Sequence, residues 1–326
     1  MNDFKEKTYM RKLLTFAACG SLAIGVAACG DDEKSSGGGG GGNLSGTIKI
    51  DGSSTVGPFA QAAAEQFKGE NPKVNISVGT SGTGGGFEKF CAGETDISDA
   101  SRPIKPDEEA PVCKKKNVTY QEVQVANDGI AVVTNKGLKV GCLTTDQLKE
   151  IWNKGSKVKD LKEVDAKLPS AKLSLFGPGT DSGTFDFFTE KINGEEGVSR
   201  SDYQPSEDDN VIVQGVSGDP GGLGYFGFSY FEQNQDKLNL VGVDAGSGCV
   251  KPSKADIQTG KYKPLSRPLF MYPSEKALAR PEVKAFMEYA VKNYDSISQA
   301  AQIVPMTSSQ AAEGNKELKA AESKAG

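Results

Sequence analysis

Short apolar runs alternate with helix-spaced apolar positions along most of the chain. Thr47-Ile48-Lys49-Ile50, Val74-Asn75-Ile76-Ser77-Val78 and Leu173-Ser174-Leu175-Phe176 predict strands. After the first, Val56, Phe59, Ala60, Ala63 and Phe67 recur at helical spacing, and Gly69 with Asn71-Pro72 ends that helix. Phe87 and Phe90 predict a short helix after the second, and Thr184 to Ile192 predicts one after the third. Val118–Val125 and Gly129–Thr134 read as two strands around Ala126-Asn127-Asp128. Leu143–Trp152 reads as a helix with Thr144 and Gln147 in capping-box spacing, and its lone tryptophan as packing. Val211–Val213 reads as a strand, Gly221–Tyr230 as a buried turn and strand, and Leu265–Tyr272 as a strand. Pro281 opens a helix with Val283, Phe286, Met287, Ala290 and Val291 on its apolar face, and an alanine-rich stretch from Ser308 closes the chain. Strands alternating with helices imply an α/β fold.

Each of the first three strands is followed by a glycine- and hydroxyl-rich loop and then a helix. The loops are Asp51–Pro58, Gly79–Gly86 and Gly177–Thr184. The first N–H groups of a helix lack partners inside it, and the helix dipole adds partial positive charge there. Glycine lets the backbone approach a ligand, and Ser or Thr adds hydroxyl donors. One such loop is usually only a cap. Three suggest helix N-termini converging on one oxyanion.

Charge and composition narrow the chemistry. The chain has 38 Lys+Arg and 43 Asp+Glu, a net charge of −5, which disfavours nucleic acid as a partner. It has no histidine, which removes Ser-His-Asp and Cys-His nucleophile systems and the commonest zinc sets. Glu207-Asp208-Asp209-Asn210 is a run of adjacent polar side chains of the kind that is usually solvated, so no metal is expected there. The only arginines are Arg11, Arg102, Arg200, Arg267 and Arg280. A chain that relies on lysine elsewhere can keep Arg102, held extended by Pro103, for a forked contact with an oxyanion; an ordinary surface arginine is the even alternative.

The N-terminal segment reads as an export signal. Lys5, Lys7, Arg11 and Lys12 precede an apolar run, Leu13 to Ala28, too short for a comfortable membrane span. It ends in Val26-Ala27-Ala28-Cys29, similar to a bacterial lipobox, which implies cleavage before Cys29 and lipid on its sulfur. Ordinary signal cleavage near Ala28 is the alternative. Gly37 to Gly42 then form a flexible tether. The run lacks the Lys-Ser/Thr of a nucleotide-binding loop.

The order of these pieces resembles the PstS-type solute-binding lipoproteins of bacterial phosphate ABC importers. The resemblance rests on Asp51–Val56, Gly79–Gly86, Asp99-Ala100-Ser101-Arg102-Pro103-Ile104, Gly177–Phe188, Gly222–Tyr230 and Leu265–Tyr272. It implies a two-lobed periplasmic-binding-protein-like fold of type II, with ligand in the interlobe cleft and two hinge crossings, near Val123–Asn127 and Arg267–Met271. Residues 1–28 would be the signal, 29–43 the lipidated cysteine and tether, 44–124 plus 268–326 the first lobe and 125–267 the second. Of the three pairings open to Cys91, Cys113, Cys142 and Cys249, Cys91–Cys113 with Cys142–Cys249 keeps each pair within one lobe.

The family's phosphate contacts fall on Ser54, Thr55, Ser81, Ser182, Gly183 and Thr184. Its best-studied branch has aspartate where this chain has Arg102, and arginine where Pro178 stands. Arg102 would then supply the cation from the opposite lobe, and Asp181, beside Ser182, the acceptor for the anion's proton. The resemblance implies a monomeric, lipid-anchored receptor on the extracytoplasmic face of the membrane. It would deliver inorganic phosphate to permease subunits, with neither cofactor nor catalysis. Competing readings are a receptor for sulfate or molybdate, a phosphate-ester hydrolase using Ser54 or Ser182, and a phosphate sensor without a permease.

Overall fold

The structure, a computed structural model, describes residues 44–325. The expected signal, Cys29 and the glycine tether lie outside the described residues. No helix among the described residues is long and apolar enough to cross a membrane.

Among the described residues eleven strands form the framework: β1 Ser45–Gly52, β2 Lys73–Gly79, β3 Ile97–Ala100, β4 Val123–Asn135, β5 Cys142–Thr144, β6 Ser174–Pro178, β7 Gln204–Ser206, β8 Gly222–Gly227, β9 Leu238–Asp244, β10 Cys249–Val250 and β11 Ser266–Pro273. In the first lobe β2, β1 and β3 run parallel, and β11 joins β3 antiparallel. In the second lobe β4 pairs antiparallel with β8, β8 with β6 and β6 with β7 in parallel. β9 pairs antiparallel with β4 and carries β5 and β10. The two lobes share one antiparallel pair, β4 with β11, running from Gly129–Ser266 to Val123–Met271 with a shift of register between Leu269 and Phe270.

Each lobe has its own core. In the first, Ile48, Ile50 and Ile97 pack on Phe59, Ala63 and Phe67 of helix α1 (Gly57–Glu70) and on Phe286 and Met287. A satellite cluster joins Phe87, Phe90, Cys91, Cys113 and Tyr272 under helix α2 (Gly82–Cys91) and helix α3 (Ala110–Lys115). In the second lobe Trp152, Phe188 and Tyr225 pack face and edge at centroid distances of 3.7–5.9 Å, so the tryptophan is packing as expected. The disulfides are Cys91–Cys113 and Cys142–Cys249, the preferred pairing. The capping box of Thr144 and Gln147 is present, with Gln147 N–H donating to Thr144 Oγ1 at 3.1 Å.

Several elements differ from their sequence reading. Val211–Val213 lies in a helix, Asp209–Gly218, not a strand. Asp208 caps it by accepting from Asn210 N–H at 2.9 Å, and Ile212, Val213 and Val216 turn inward on helical spacing. The two strands around Ala126–Asp128 are one, because Ala126, Asn127 and Asp128 each pair with β11; Val118 to Glu122 precede it. Helix Thr184–Ile192 is a short α-helix, Gly183–Phe188, followed by a π-turn through Asn193. The strand within Gly221–Tyr230 stops at Gly227 and gives way to a helix, Phe228–Gln233.

Candidate functional site

The three loops do converge. A cavity of about 410 Å³ lies between the lobes, lined by Ser53, Ser54 and Thr55 from the first loop, Ser81 to Gly85 from the second, and Gly183 from the third. Ser101, Arg102 and Pro103 close it from the turn after β3, and Ser266, Arg267 and Pro268 from β11.

The first loop is built around Ser53. Its carbonyl accepts from Val56 and Gly57 N–H, and its Oγ accepts from Thr55 N–H at 3.2 Å. Helix α1 has no side-chain cap, and the turn that leads into it lines the cavity with Ser53, Ser54 and Thr55. Gly52 is obligatory: its φ is +151°, and a Cβ there would stand 2.0 Å from the Asp99 carbonyl oxygen.

In the second loop Ser81 is already engaged. Its N–H and Oγ donate to Asp51 Oδ1 at 3.0 and 2.5 Å, while Lys89 Nζ lies 2.6 Å from Asp51 Oδ2. Against burial, these partners hold the Asp51 carboxyl below its usual range. Ser81 therefore positions the start of α2, and Thr83, Gly84 and Gly85 present the first turn to the cavity. Thr83 Oγ1 accepts from Ser101 N–H at 3.2 Å, which ties α2 to the turn bearing Arg102.

The third loop contributes less than its sequence suggests. Ser182 Oγ accepts from Thr184 N–H at 3.2 Å, a helix cap, and neither residue lines the cavity. Gly183 does line it. A Cβ on Gly183 would fall 2.1 Å from Thr55 Oγ1 and 2.7 Å from Ser54 Oγ, so this glycine presses the two lobes together at the loops. Asp181 is exposed and outside the cavity, with its backbone N–H donating to Glu207 Oε1 at 3.4 Å.

Arg102 is in the cavity wall, paired in two-point fashion with Glu109: Nη1 to Oε2 at 2.9 Å and Nη2 to Oε1 at 2.7 Å. A second arginine, not singled out as a ligand from the sequence, is more deeply set. Arg267 leaves β11 with 12% of its side chain exposed and stacks 3.8 Å over the Phe187 ring. Its Nε donates to Asp128 Oδ2 at 3.2 Å, and its Nη2 to Thr55 Oγ1 at 2.8 Å and to the Gly183 carbonyl at 3.1 Å. Burial lowers its pKa while Asp128 opposes that, and an arginine so placed stays charged. The scarcity argument that singles out Arg102 applies equally to Arg267.

Acidic groups complete the wall. Asp186, Glu190 and Glu196 line the cavity beside Lys191. Burial first, then the charge of Glu196, pushes the Asp186 carboxyl up to about 6, while Arg267 pulls the other way. The Asp186 carboxylate accepts no hydrogen bond from the described residues, so it is an open acceptor facing a donor-rich cavity. Together the site offers the first turn of α2, serine and threonine hydroxyls from the loops, two arginines, a lysine and three carboxylates, of which Asp186 is the open acceptor suited to a small oxyanion that carries a proton.

Comparison with known proteins agrees with this geometry. The family profile for the PBP superfamily domain matches residues 38–293. The chain is 45% identical over 246 residues to the phosphate-binding protein PstS of Staphylococcus saprophyticus, covering 75% of this chain and 74% of that one. It is 44% identical over 262 residues to protein SphX of Synechococcus elongatus, covering 79% and 77%. The crystal structure of a possible phosphate binding protein from Planctomyces limnophilus superposes with a TM-score of 0.80 at 45% identity, covering 86% of this chain and 99% of that one. The chain therefore belongs to the PBP superfamily and, within it, to the PstS-type phosphate-binding proteins.

Proposed function

We infer that this protein is the phosphate receptor of an ABC importer: it binds inorganic phosphate outside the cytoplasm and hands it to the permease. The observation that carries this reading is the cavity itself, where both lobes turn donors onto one point, in a chain 45% identical to a PstS protein. Phosphate would accept from the first turn of α2 and from Ser54 and Thr55 in the turn before α1. Arg267 would pair with it from the hinge and Arg102 from the first lobe. Ser81 would act through Asp51, and Ser182 and Thr184 would hold Gly183 in place rather than touch the ion. Asp186, and not Asp181, would accept the anion's proton.

The lobes would comprise residues 44–124 with 268–326, and residues 125–267. Cys29 would carry the lipid that anchors a monomer to the membrane, with residues 1–28 removed. The protein would carry out no chemistry on the ion, since the chain has no histidine to activate a hydroxyl.

Calorimetric titration of the purified protein with phosphate and then sulfate tests this reading. Tight phosphate binding with weak sulfate binding is expected. Equal binding would make the protein a general oxyanion receptor. Turnover of a chromogenic phosphate ester would replace the reading with hydrolysis.

A further inference from the structure

Arg102 lines the cavity with its guanidinium paired to Glu109. The arginine sits in the turn after β3, where an unrestrained guanidinium would sample solvent. Both of its Nη groups donate to Glu109, and Nη1 also donates to the Pro103 carbonyl at 3.1 Å. Glu109 is fixed in turn. Its Oε2 accepts from Lys105 N–H at 2.8 Å, and against burial, Arg102 and Lys105 hold its carboxyl below the usual range.

The backbone of Glu109, whose N–H donates to the Lys105 carbonyl at 3.1 Å, lies against a disulfide. Glu109 is the residue just before α3, and its carbonyl accepts from Cys113 N–H at 3.2 Å. Cys113 is bonded to Cys91, the last residue of α2, and the Cys91 sulfur lies 3.8 Å from the same Glu109 carbonyl oxygen. Both cysteines are buried, in the small cluster with Phe87 and Phe90. Phe87 also carries the Arg102 guanidinium 5.8 Å over its ring. Helix α2 thus bears anion-facing N–H groups at one end and, at the other, the covalent link that places Glu109. Helix α3 has only six residues and one buried side chain, Cys113, so little else fixes it to the lobe.

We propose that Glu109 is a positioning residue whose alignment by the Cys91–Cys113 disulfide sets Arg102 against the bound anion, so that this disulfide tunes phosphate affinity while Cys142–Cys249 does not. The proposal rests on phosphate being the ligand of this cavity.

The test is phosphate calorimetry on the whole protein and its variants. Glu109→Gln and the double variant Cys91→Ser/Cys113→Ser should each weaken binding about tenfold, the loss expected when one charge-assisted contact is misaligned. In an Arg102→Ala background neither should change affinity further. The control Cys142→Ser/Cys249→Ser should lower the Tm without changing phosphate affinity. The Arg102 guanidinium NMR signals, sharp while both Nη groups are held, should broaden in Glu109→Gln and in the Cys91/Cys113 variant. Equal losses with and without Arg102, or unchanged affinity in Glu109→Gln, would overturn the proposal. Absence of phosphate binding by the unaltered protein would instead overturn the functional reading beneath it.

Discussion

Arg267 Nη2 donates to Thr55 Oγ1 across 2.8 Å, linking the hinge strand β11 to the first anion loop. The same atom reaches the Gly183 carbonyl at 3.1 Å. One guanidinium therefore touches both lobes and the hinge. Replacing it with alanine removes a buried, two-sided cation and strands Asp128. Arg267→Ala should weaken phosphate binding by about 100-fold and lower the Tm. Arg267→Lys should recover only part of the affinity, since a point charge cannot serve Asp128, Thr55 and Gly183 at once. Calorimetry and thermal melts on both variants check this.

Gly183 bears directly on closure. An added methyl would occupy the space of Thr55 Oγ1, 2.1 Å away, with Ser54 Oγ at 2.7 Å and the Thr55 backbone nitrogen at 2.8 Å. Gly183→Ala should hold the lobes apart. Phosphate affinity should fall about tenfold or more, and small-angle scattering should show less contraction on adding phosphate than in the unaltered protein.

The proposed role of Asp186 makes selectivity a function of pH. With its carboxyl at about 6, it is ionised above that pH, where it would accept a proton-bearing anion and repel a fully ionised one. Below it, the protonated carboxyl becomes a donor, and the penalty against sulfate is lifted. Sulfate binding should therefore strengthen as pH falls from 7.5 to 5.5. Asp186→Asn should bind sulfate with little pH dependence over that range. After burial, the charges of Glu196, Asp181 and Glu207 raise the Asp186 pKa and that of Arg267 lowers it, so all four bear on this dependence.

Asp99 predicts a stability effect. It is fully buried on β3 with neither carboxylate oxygen hydrogen-bonded, and burial, then the charge of Asp51, raises its pKa well above the ordinary 3.8. A raised folded-state value means the folded protein holds a proton that the unfolded chain releases. The favourable contribution is full below pH 3.8 and is lost as pH rises toward the folded-state value. Asp99→Asn removes that proton, so its Tm should decline less than that of the unaltered protein between pH 4 and 7.

The α/β class, the three anion loops and the order of the hinge segments were legible because each leaves a local signature: an apolar strand, a glycine-rich turn, a helix with one apolar face. The 209–218 helix was misread because its buried residues, Ile212 and Val213, are adjacent and β-branched, while the deciding cap from Asp208 is a local hydrogen bond. Arg267 was passed over as a ligand because it lies 84 residues from Gly183 and 212 from Thr55. Only folding brings those three together. Asp181 and Asp186 are chemically alike on paper, and which one faces the cavity depends on the turn between them.

The pairing of Asp128 with Arg267 across β4 and β11 has a mechanical meaning. The cation that would grip the ion is rooted at the fulcrum rather than at the lips of the cleft. A small pull on that guanidinium would act where the lever arms are shortest, and the far rims of both lobes would travel furthest in response. A docking partner that feels only those rims could then distinguish a loaded receptor from an empty one without ever meeting the ion.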